Sequence, residues 1–366
     1  MVGGVNIIIL IDGLGTSGKA VLRGLLDGYP GFFVSPNHDM IIDTMCNFEN
    51  NLWLEYKDTM YLRTLLCNTY YYQLEHISNK KAMEYDMSVL DRCNFDIDFD
   101  FYKFDKMVIK KLIKESKWTR QVLVEHIFSS MKECWNNYSF DKDEVQNYVG
   151  MGFDMPKTAE NFVKYFPNGK MIYVMRSIEG IIAVRSNRRP VDDDMRSLCL
   201  LETTPEKLVV ENHVRKLIKK QKYMQKQALL YPDKIMLINF DYLIENTEII
   251  MRQICEFLNI EFNEILLKCT VSGHEMITES GQKYIGKILD NPDKLLNEYQ
   301  KVLIDVDKSL KNIFKIKNLK HPKALLDILV IKWFRMLKLI RYALASLLLC
   351  KNIFKMKEQW KRDGFF

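Results

Sequence analysis

A glycine-rich loop near the start of the chain has the spacing of a phosphate-binding site. Gly13, Gly18 and Lys19 fit the pattern G-x-x-x-x-G-K, which follows a run of apolar residues and precedes a stretch of helical period. Backbone N–H groups of such a turn bind anions together with the N-terminus of the next helix, and the lysine adds a positive charge. The alternative is a glycine turn that only packs the helix closely against the strand. The flanking segments favour the phosphate site.

The residue after the lysine restricts the chemistry of this loop. Nucleotide hydrolases and kinases place a Ser or Thr there as a magnesium ligand, whereas this chain has Ala20. We therefore expect a reaction that needs no metal at this position, and we predict no metal cofactor. Transfer of a sulfuryl group from a nucleotide is such a reaction, because fixed cations and N–H donors can stabilise the phosphate that leaves.

Short apolar runs alternate with helical stretches along the chain. Continuous runs of this kind are typical of strands that are buried on both faces, and the stretches between them have the apolar spacing of amphipathic helices. The alternation predicts an α/β fold, with a parallel sheet between two layers of helices. The predicted strands are 5–12, 31–35, 170–176 and 234–240.

The segment 40–147 differs in composition from the rest of this pattern. It is rich in aromatic and charged residues and mostly of helical period, so we interpret it as a helical insertion. We expect the insertion to lie over the C-terminal edge of the sheet, where ligands bind in open α/β folds. Residues 94–104 alternate like a strand but also suit an extended lid, and the sequence leaves both interpretations open.

Charge is distributed unevenly along the 366 residues. The segment 311–366 has 14 Lys and Arg against 3 Asp and Glu, a charge of +11, and the remainder has 39 basic against 44 acidic residues, a charge of −5. An acidic body is a poor binder of nucleic acid, so we expect no nucleic-acid partner. The eight cysteines include no C-x-x-C pair, which is typical of reduced thiols in a cytoplasmic protein.

The basic tail has the pattern of an amphipathic helix. Its longest uncharged run, 342–350, is too short to cross a bilayer. Basic residues recur every three positions from Lys332 to Arg341, which suits a helix that lies in a membrane interface. The alternative is a helix that packs on its own domain or on the second subunit of a homodimer. We predict domains 1–310 and 311–366, with the protein cytoplasmic and peripheral at the inner face of the membrane.

The glycine loop and its flanks resemble the 5′-phosphosulfate loop of the sulfotransferases that use 3′-phosphoadenosine 5′-phosphosulfate (PAPS), especially their bacterial and carbohydrate-directed branch. Loops of that family often read Arg-Ser-Gly-Thr-Thr. Here Ser17 and Gly18 match, Thr16 replaces the basic residue, and Lys19 and Ala20 replace the two threonines. The resemblance implies that the 5′-phosphosulfate binds at Gly15, Thr16, Ser17, Gly18, Lys19 and Ala20.

Two later stretches resemble the same family. Residues 156–188 are similar to a block that begins Lys-Thr-Pro, which implies a role for Lys157 beside the transferring group and for Arg176 at the 3′-phosphate. The family has a serine eight positions after that arginine, where this chain has Val184, followed by Arg185 and Ser186. Residues 271–287 resemble the loop that closes on the nucleotide, and they imply that Lys283 reaches the 3′-phosphate.

Sulfuryl transfer to a hydroxyl also requires a proton acceptor. His38 and Asp39 follow the second predicted strand, at the mouth of the expected cleft, and we predict that one of them is the base. The alternative is that this loop only caps the next helix. His126 is a second candidate, although its apolar neighbours suit a core histidine.

The sequence thus predicts a sulfotransferase with a P-loop NTPase-like three-layer fold, in which Lys19 and Lys157 offset the charge on the leaving oxygen. We expect transfer from PAPS to a hydroxyl or amine. The basic tail favours a glycan or lipid-linked acceptor at a membrane surface. Two rival hypotheses are a P-loop kinase for a small molecule and a non-catalytic, membrane-associated scaffold of the same fold.

Overall fold

A parallel sheet forms the centre of the protein, as the sequence predicts. The computed structural model describes residues 7–35, 40–47, 52–66, 98–138, 147–152, 154–155, 157–181, 205–271 and 273–275. Among these residues five parallel strands pair in the order β2-β3-β1-β4-β5. The three-layer α/β prediction is confirmed. The strands are β1 Ile7–Gly13, β2 Phe32–Val34, β3 Asn147–Met151, β4 Lys170–Met175 and β5 Ile235–Asn239.

Strand β1 occupies the middle of the sheet and positions the glycine loop. It pairs with β3 on one side and β4 on the other, and its residues from Ile8 to Gly13 are buried. An unbroken run of Ile and Leu suits this position, because both faces of the strand are covered. The glycine loop follows β1 directly, so it lies at the C-terminal edge of the sheet beside the ends of β3 and β4.

Helices cover the two faces of the sheet. Helix α1 begins at Lys19, with Gly18 as its N-cap, and the Gly18 carbonyl accepts a hydrogen bond from the N–H of Val21 at 2.9 Å. The helices are α1 Lys19–Leu26, α2 Met40–Asn47, α3 Leu52–Glu55, α4 Thr59–Leu66, α5 Phe101–Ile113, α6 Arg120–Cys134, α7 Thr158–Tyr165, α8 Pro205–Leu230, α9 Phe240–Glu245 and α10 Thr247–Leu258. A 3₁₀ turn, Glu264–Leu267, and the short hairpin Thr270–Val271 with His274–Glu275 follow.

The described part of the segment 40–147 is mainly helical, as the sequence predicts, and its helix α6 covers a face of the sheet. The ring of Phe128 on α6 stacks on Tyr148 of β3, with centroids 5.6 Å apart, and lies 6.2 Å from Phe33 of β2. Phe33 and Tyr148 are register partners, so α6 packs across these two strands. Helix α6 is therefore a layer of the core, whereas Asp43 of α2 lies beside Gly152 at the C-terminal edge. The expected position of the insertion over that edge is thus wrong for α6 and stays a prediction for the residues of the segment that the structure does not describe.

The described part of the alternating stretch, residues 98–104, does not form a strand. Phe99 makes only an isolated bridge to Trp135, and helix α5 begins at Phe101. The Asp100 carboxylate caps this helix by accepting a hydrogen bond from the N–H of Lys103 at 2.9 Å. A local cap thus overrides the alternating pattern.

The tail 311–366 and the predicted boundary at 310 lie outside the described residues, and both stay predictions. Within the described part of the chain, no helix is both long enough and apolar enough for a membrane span.

Candidate functional site

Both glycines of the G-x-x-x-x-G-K pattern are required by close packing. A Cβ at Gly13 would lie 2.6 Å from the carbonyl oxygen of Val174. Gly18 has a left-handed backbone with φ of 98°, and a Cβ there would lie 1.9 Å from the ring of Phe240. This packing brings the loop down onto the ends of β4 and β5. It fits an anion-binding turn and also the purely structural turn that the sequence left open.

The Ser17 side chain favours the anion-binding interpretation. It is fully buried, and its hydroxyl has no hydrogen-bond partner among the described residues. The N-cap residue of α1, Gly18, has no side chain that could cap the helix. Buried polar groups are normally paired, because an unpaired one costs about 1–3 kcal/mol. A polar ligand at the loop would pair both the hydroxyl and the uncapped N–H groups.

The ammonium of Lys19 is held at the base of the loop. Its side chain is buried, and Nζ donates hydrogen bonds to the carbonyl oxygens of Gly13, at 3.1 Å, and of Gly152. The Asp12 carboxylate lies 3.8 Å away. Burial lowers the pKa of Lys19, and the carboxylate of Asp12 opposes this effect. A cation therefore lies between the ends of β1 and β3.

Three buried or half-buried carboxylates lie close to this ammonium, and the sequence analysis found none of them as a site residue. The Asp12 Oδ1 accepts a hydrogen bond from the N–H of Asp154 at 2.8 Å. Gly152 leaves room for the Asp43 carboxylate, because a Cβ on this glycine would lie 3.0 Å from Asp43 Oδ2 and 3.2 Å from Asp12 Cγ. Among the described residues, no three His, Cys, Asp or Glu side chains are grouped as metal ligands.

The crowding of these carboxylates changes their protonation. Burial, opposed by the charge of Lys19 and assisted by the charges of Asp43 and Asp154, raises the pKa of Asp12 to about 7. Burial also raises the pKa of Asp154, an effect that a hydrogen bond from Lys220 opposes. Asp12 is thus the buried acid of this cluster that titrates near neutral pH.

Helix α8 brings two further polar side chains to the same edge of the sheet. Lys220 Nζ lies 2.6 Å from Asp154 Oδ2, and Tyr173 donates a hydrogen bond to the other oxygen of that carboxylate at 3.2 Å. Gln221 Nε2 donates to the carbonyl oxygen of Arg176 at 2.7 Å. No local motif marks Lys220 or Gln221, because α8 is polar along much of its length.

Arg176 follows β4 directly and lies against the glycine loop. Its side chain is buried, with the guanidinium 4.7 Å above the ring of Phe240. The η1 nitrogen donates to the carbonyl oxygen of Thr16 at 3.4 Å, and Nε lies 3.7 Å from Asp241 Oδ1. The loop and the strand-ending arginine, which the sequence analysis predicts as one nucleotide site, are therefore neighbours.

The remaining loop residues and Lys157 also lie at this edge. The Thr16 hydroxyl donates to the carbonyl oxygen of Gly15 at 2.5 Å, and Ala20 is half-buried in the first turn of α1. Lys157 is the N-cap of α7, with a left-handed φ of 62°, and its side chain is exposed. It thus differs from Lys19, which is buried.

The predicted base and part of the predicted 3′-phosphate site lie outside the described residues. These residues are His38, Asp39, Val184, Arg185, Ser186 and Lys283. His126 is half-buried on α6, and its Nε2 lies 2.9 Å from Glu115 Oε1. A side-chain partner on the neighbouring segment suits the structural alternative for this histidine.

Comparison with known proteins gives a family match across this site. A model described as "Sulfotransferase family" matches residues 9–264, and no curated protein sequence matches the chain. Among solved structures, the sulfotransferase domain of the curacin biosynthetic pathway is similar at 16% identity over 83% of this chain and 98% of that chain, with a TM-score of 0.42. The sulfotransferase domain of the Synechococcus PCC 7002 olefin synthase is similar at 14% identity over 83% of this chain and 96% of that chain, with a TM-score of 0.42. Retinol dehydratase in complex with androsterone and the inactive cofactor PAP is similar at 12% identity over 86% of this chain and 83% of that chain, with a TM-score of 0.36.

Proposed function

The chain belongs to the sulfotransferase family, whose model matches residues 9–264, and we propose that PAPS is its sulfuryl donor. One observation supports this donor site above all: the buried Ser17 hydroxyl, without a partner among the described residues, lies in the same loop that holds Lys19 and contacts Arg176. Two cations and uncapped N–H groups at one turn suit a ligand with two separate phosphate groups.

The two ends of PAPS would bind at different parts of this edge. We assign the 5′-phosphosulfate to the loop N–H groups, Ser17 and Lys19, and the 3′-phosphate to Arg176. During transfer the acceptor oxygen forms a bond to sulfur while the bond from sulfur to the phosphate oxygen breaks. Negative charge then develops on the leaving oxygen of 3′,5′-ADP, where a lysine ammonium is stabilising. His38 or Asp39 would take the proton of the acceptor.

A comparison of how far different nucleotides raise the melting temperature of the protein tests the assignment of PAPS as the donor. We expect 3′,5′-ADP to stabilise the protein in buffer with EDTA, and 5′-AMP to stabilise it much less, because only the first has a 3′-phosphate. At a ligand concentration of 100 times Kd, the stabilisation is about 2.7 kcal/mol, or a few degrees. The measurement is a thermal-shift series with both nucleotides and with ATP, each with and without magnesium. A larger shift with ATP and magnesium would favour the kinase and contradict PAPS.

We further propose that the acceptor is a hydroxyl or amine of a glycan, free or linked to lipid. The support is the +11 charge of residues 311–366, which suits work at an anionic membrane. The assay is transfer of labelled sulfate from PAPS to a panel of glycans, glycolipids and simple phenols. Transfer to phenols alone would contradict the glycan proposal without affecting the donor assignment.

The proposed membrane contact predicts the behaviour of a charge-neutralised tail. Changing Lys332, Arg335, Lys338 and Arg341 to Gln in the full chain should abolish pelleting with liposomes that contain phosphatidylserine, because each basic residue contributes about 1 kcal/mol at such a surface. In the matched control, four exposed lysines outside the tail are changed to Gln. They are Lys110, Lys114, Lys222 and Lys226. Equal pelleting of both variants would contradict a role of the tail.

A further inference from the structure

We propose that Asp12 is a positioning residue of the donor site: it gives up its ion pair with Lys19 when the donor binds, and it takes up a proton from solvent. The proton uptake rests on the proposed function, because it requires an anionic ligand at the glycine loop. The donor replaces the carboxylate as the counter-ion of the Lys19 ammonium. The proton then removes the negative charge that would otherwise remain buried beside the donor.

The charges at this edge of the sheet make such an uptake necessary. Three carboxylates, of Asp12, Asp43 and Asp154, are grouped with the two lysines Lys19 and Lys220. If all five groups are ionised, the cluster has a net charge of −1. An arriving phosphosulfate would meet this excess in a medium of low dielectric constant, where repulsion is strong. Protonation of one carboxylate makes the cluster neutral and favours the anion.

Asp12 is the carboxylate best placed to take the proton. The Asp154 carboxylate has the ammonium of Lys220 at 2.6 Å, and Asp43 accepts a hydrogen bond from the Thr158 hydroxyl at 3.2 Å. Asp12 is instead 3.8 Å from its cation, a distance beyond a hydrogen bond. Its Oδ1 accepts two backbone N–H bonds, so Oδ2 is the oxygen that would hold the proton.

Charged and titratable groups face Asp12 from every described element around it. Lys19 lowers the pKa of Asp12, and both Asp43 and Asp154 raise it beyond the effect of burial. A donor that engages the Lys19 ammonium weakens its stabilisation of the Asp12 carboxylate, so proton uptake follows by linkage. The groups are Lys19 of α1, Asp43 and Cys46 of α2, Asp154 after β3, Tyr173 of β4 and Lys220 of α8.

Lys220 and Asp154 offer opposite controls of this titration. Lys220→Met removes a positive charge, which raises the pKa of Asp12, whereas Asp154→Asn removes a negative charge and lowers it. The Lys220 side chain is 38% exposed, so we expect the fold to tolerate its loss, and melting curves test this. Lys222 lies two residues along the same helix with an exposed side chain, and Lys222→Met is the control for equal loss of charge.

The experiment is calorimetric titration of the full-length protein with 3′,5′-ADP, without magnesium. Buffers of different ionisation enthalpy report how many protons are bound. We expect the wild type to take up close to one proton more than Asp12→Asn near pH 7.5, since the nucleotide phosphates, with a pKa of about 6, contribute equally to both. The wild-type Kd should weaken about tenfold between pH 6.5 and 8.5, and that of Asp12→Asn less than about threefold.

The pH at the midpoint of the change in Kd distinguishes an effect of charge on Asp12 from structural damage by the substitution. It should move to higher pH in Lys220→Met, to lower pH in Asp154→Asn, and stay in place in Lys222→Met. Equal proton uptake by the wild type and Asp12→Asn would overturn the role of Asp12, as would a shift of both variants in the same direction. Absence of 3′,5′-ADP binding at every pH would overturn the proposed function together with it.

Discussion

We expect Lys19→Met to lower kcat for sulfuryl transfer by about 100- to 1000-fold, the usual loss when a group that stabilises developing charge is removed. Lys19 is the buried cation of the glycine loop, with its ammonium at the carbonyl oxygens of Gly13 and Gly152. Methionine keeps an unbranched side chain that is one atom shorter, and it removes the charge together with the hydrogen bonds to these two carbonyl oxygens. The rate loss should therefore exceed the loss in affinity for 3′,5′-ADP.

The rate should be measured by single-turnover transfer from PAPS, with melting curves to show that the variant is folded. Lys164→Met is the matched control, because Lys164 is exposed on α7. Loss of Lys19 leaves Asp12 without its cation, and the double variant Lys19→Met with Asp12→Asn removes this complication. Rates within about threefold of the wild type would contradict a catalytic role, since one transition-state contact is worth far more.

The features that the sequence predicts are those with a strong local signal. The runs at 5–12 and 170–176 are continuous and apolar, so they identify β1 and β4, and the glycine pattern after the first run locates the glycine loop. The family block around Arg176 implies that this arginine binds the nucleotide; the structure places it beside the loop, and its binding role stays a prediction. The two apolar runs and the glycine pattern each fall within about ten consecutive residues.

Strand β3 shows why a central element escaped prediction. Its sequence Asn147–Met151 is only five residues long and contains Gly150, so neither apolar run nor alternation marks it. It forms a strand because Gly31 and the edges of β1 and β2 supply its hydrogen bonds. Tertiary pairing decides the structure of this segment.

The buried charges escaped prediction for a similar reason. Asp12, Asp43 and Asp154 lie far apart in the sequence. The parallel pairing of β1 with β3 brings Asp12 to Gly152, and helix α2 places Asp43 against the same glycine. Lys220 comes from a long polar helix in which lysines are frequent. Whether a charged residue is buried or solvated depends on its neighbours in space, and a single sequence does not show which residues those neighbours are.

The second large effect is expected at Arg176. Arg176→Lys should weaken binding of 3′,5′-ADP by roughly 10- to 100-fold and leave binding of 5′-AMP within about threefold, because lysine keeps the charge but loses the planar pair of donors that fits a phosphate. The affinity of both nucleotides should be measured by calorimetry without magnesium. Arg252→Lys is the control, because the exposed Arg252 likewise has an acidic partner, Glu248, and lies over an aromatic ring, that of Phe262.

The ratio of the two affinities, rather than either value alone, decides the role of Arg176. Its guanidinium contacts the Thr16 carbonyl oxygen and lies over Phe240, so the substitution also removes contacts that support the glycine loop. Damage to the loop would weaken both nucleotides equally, since both have a 5′-phosphate. A selective loss of 3′,5′-ADP therefore identifies the 3′-phosphate as the ligand of Arg176, and an equal loss would contradict that assignment.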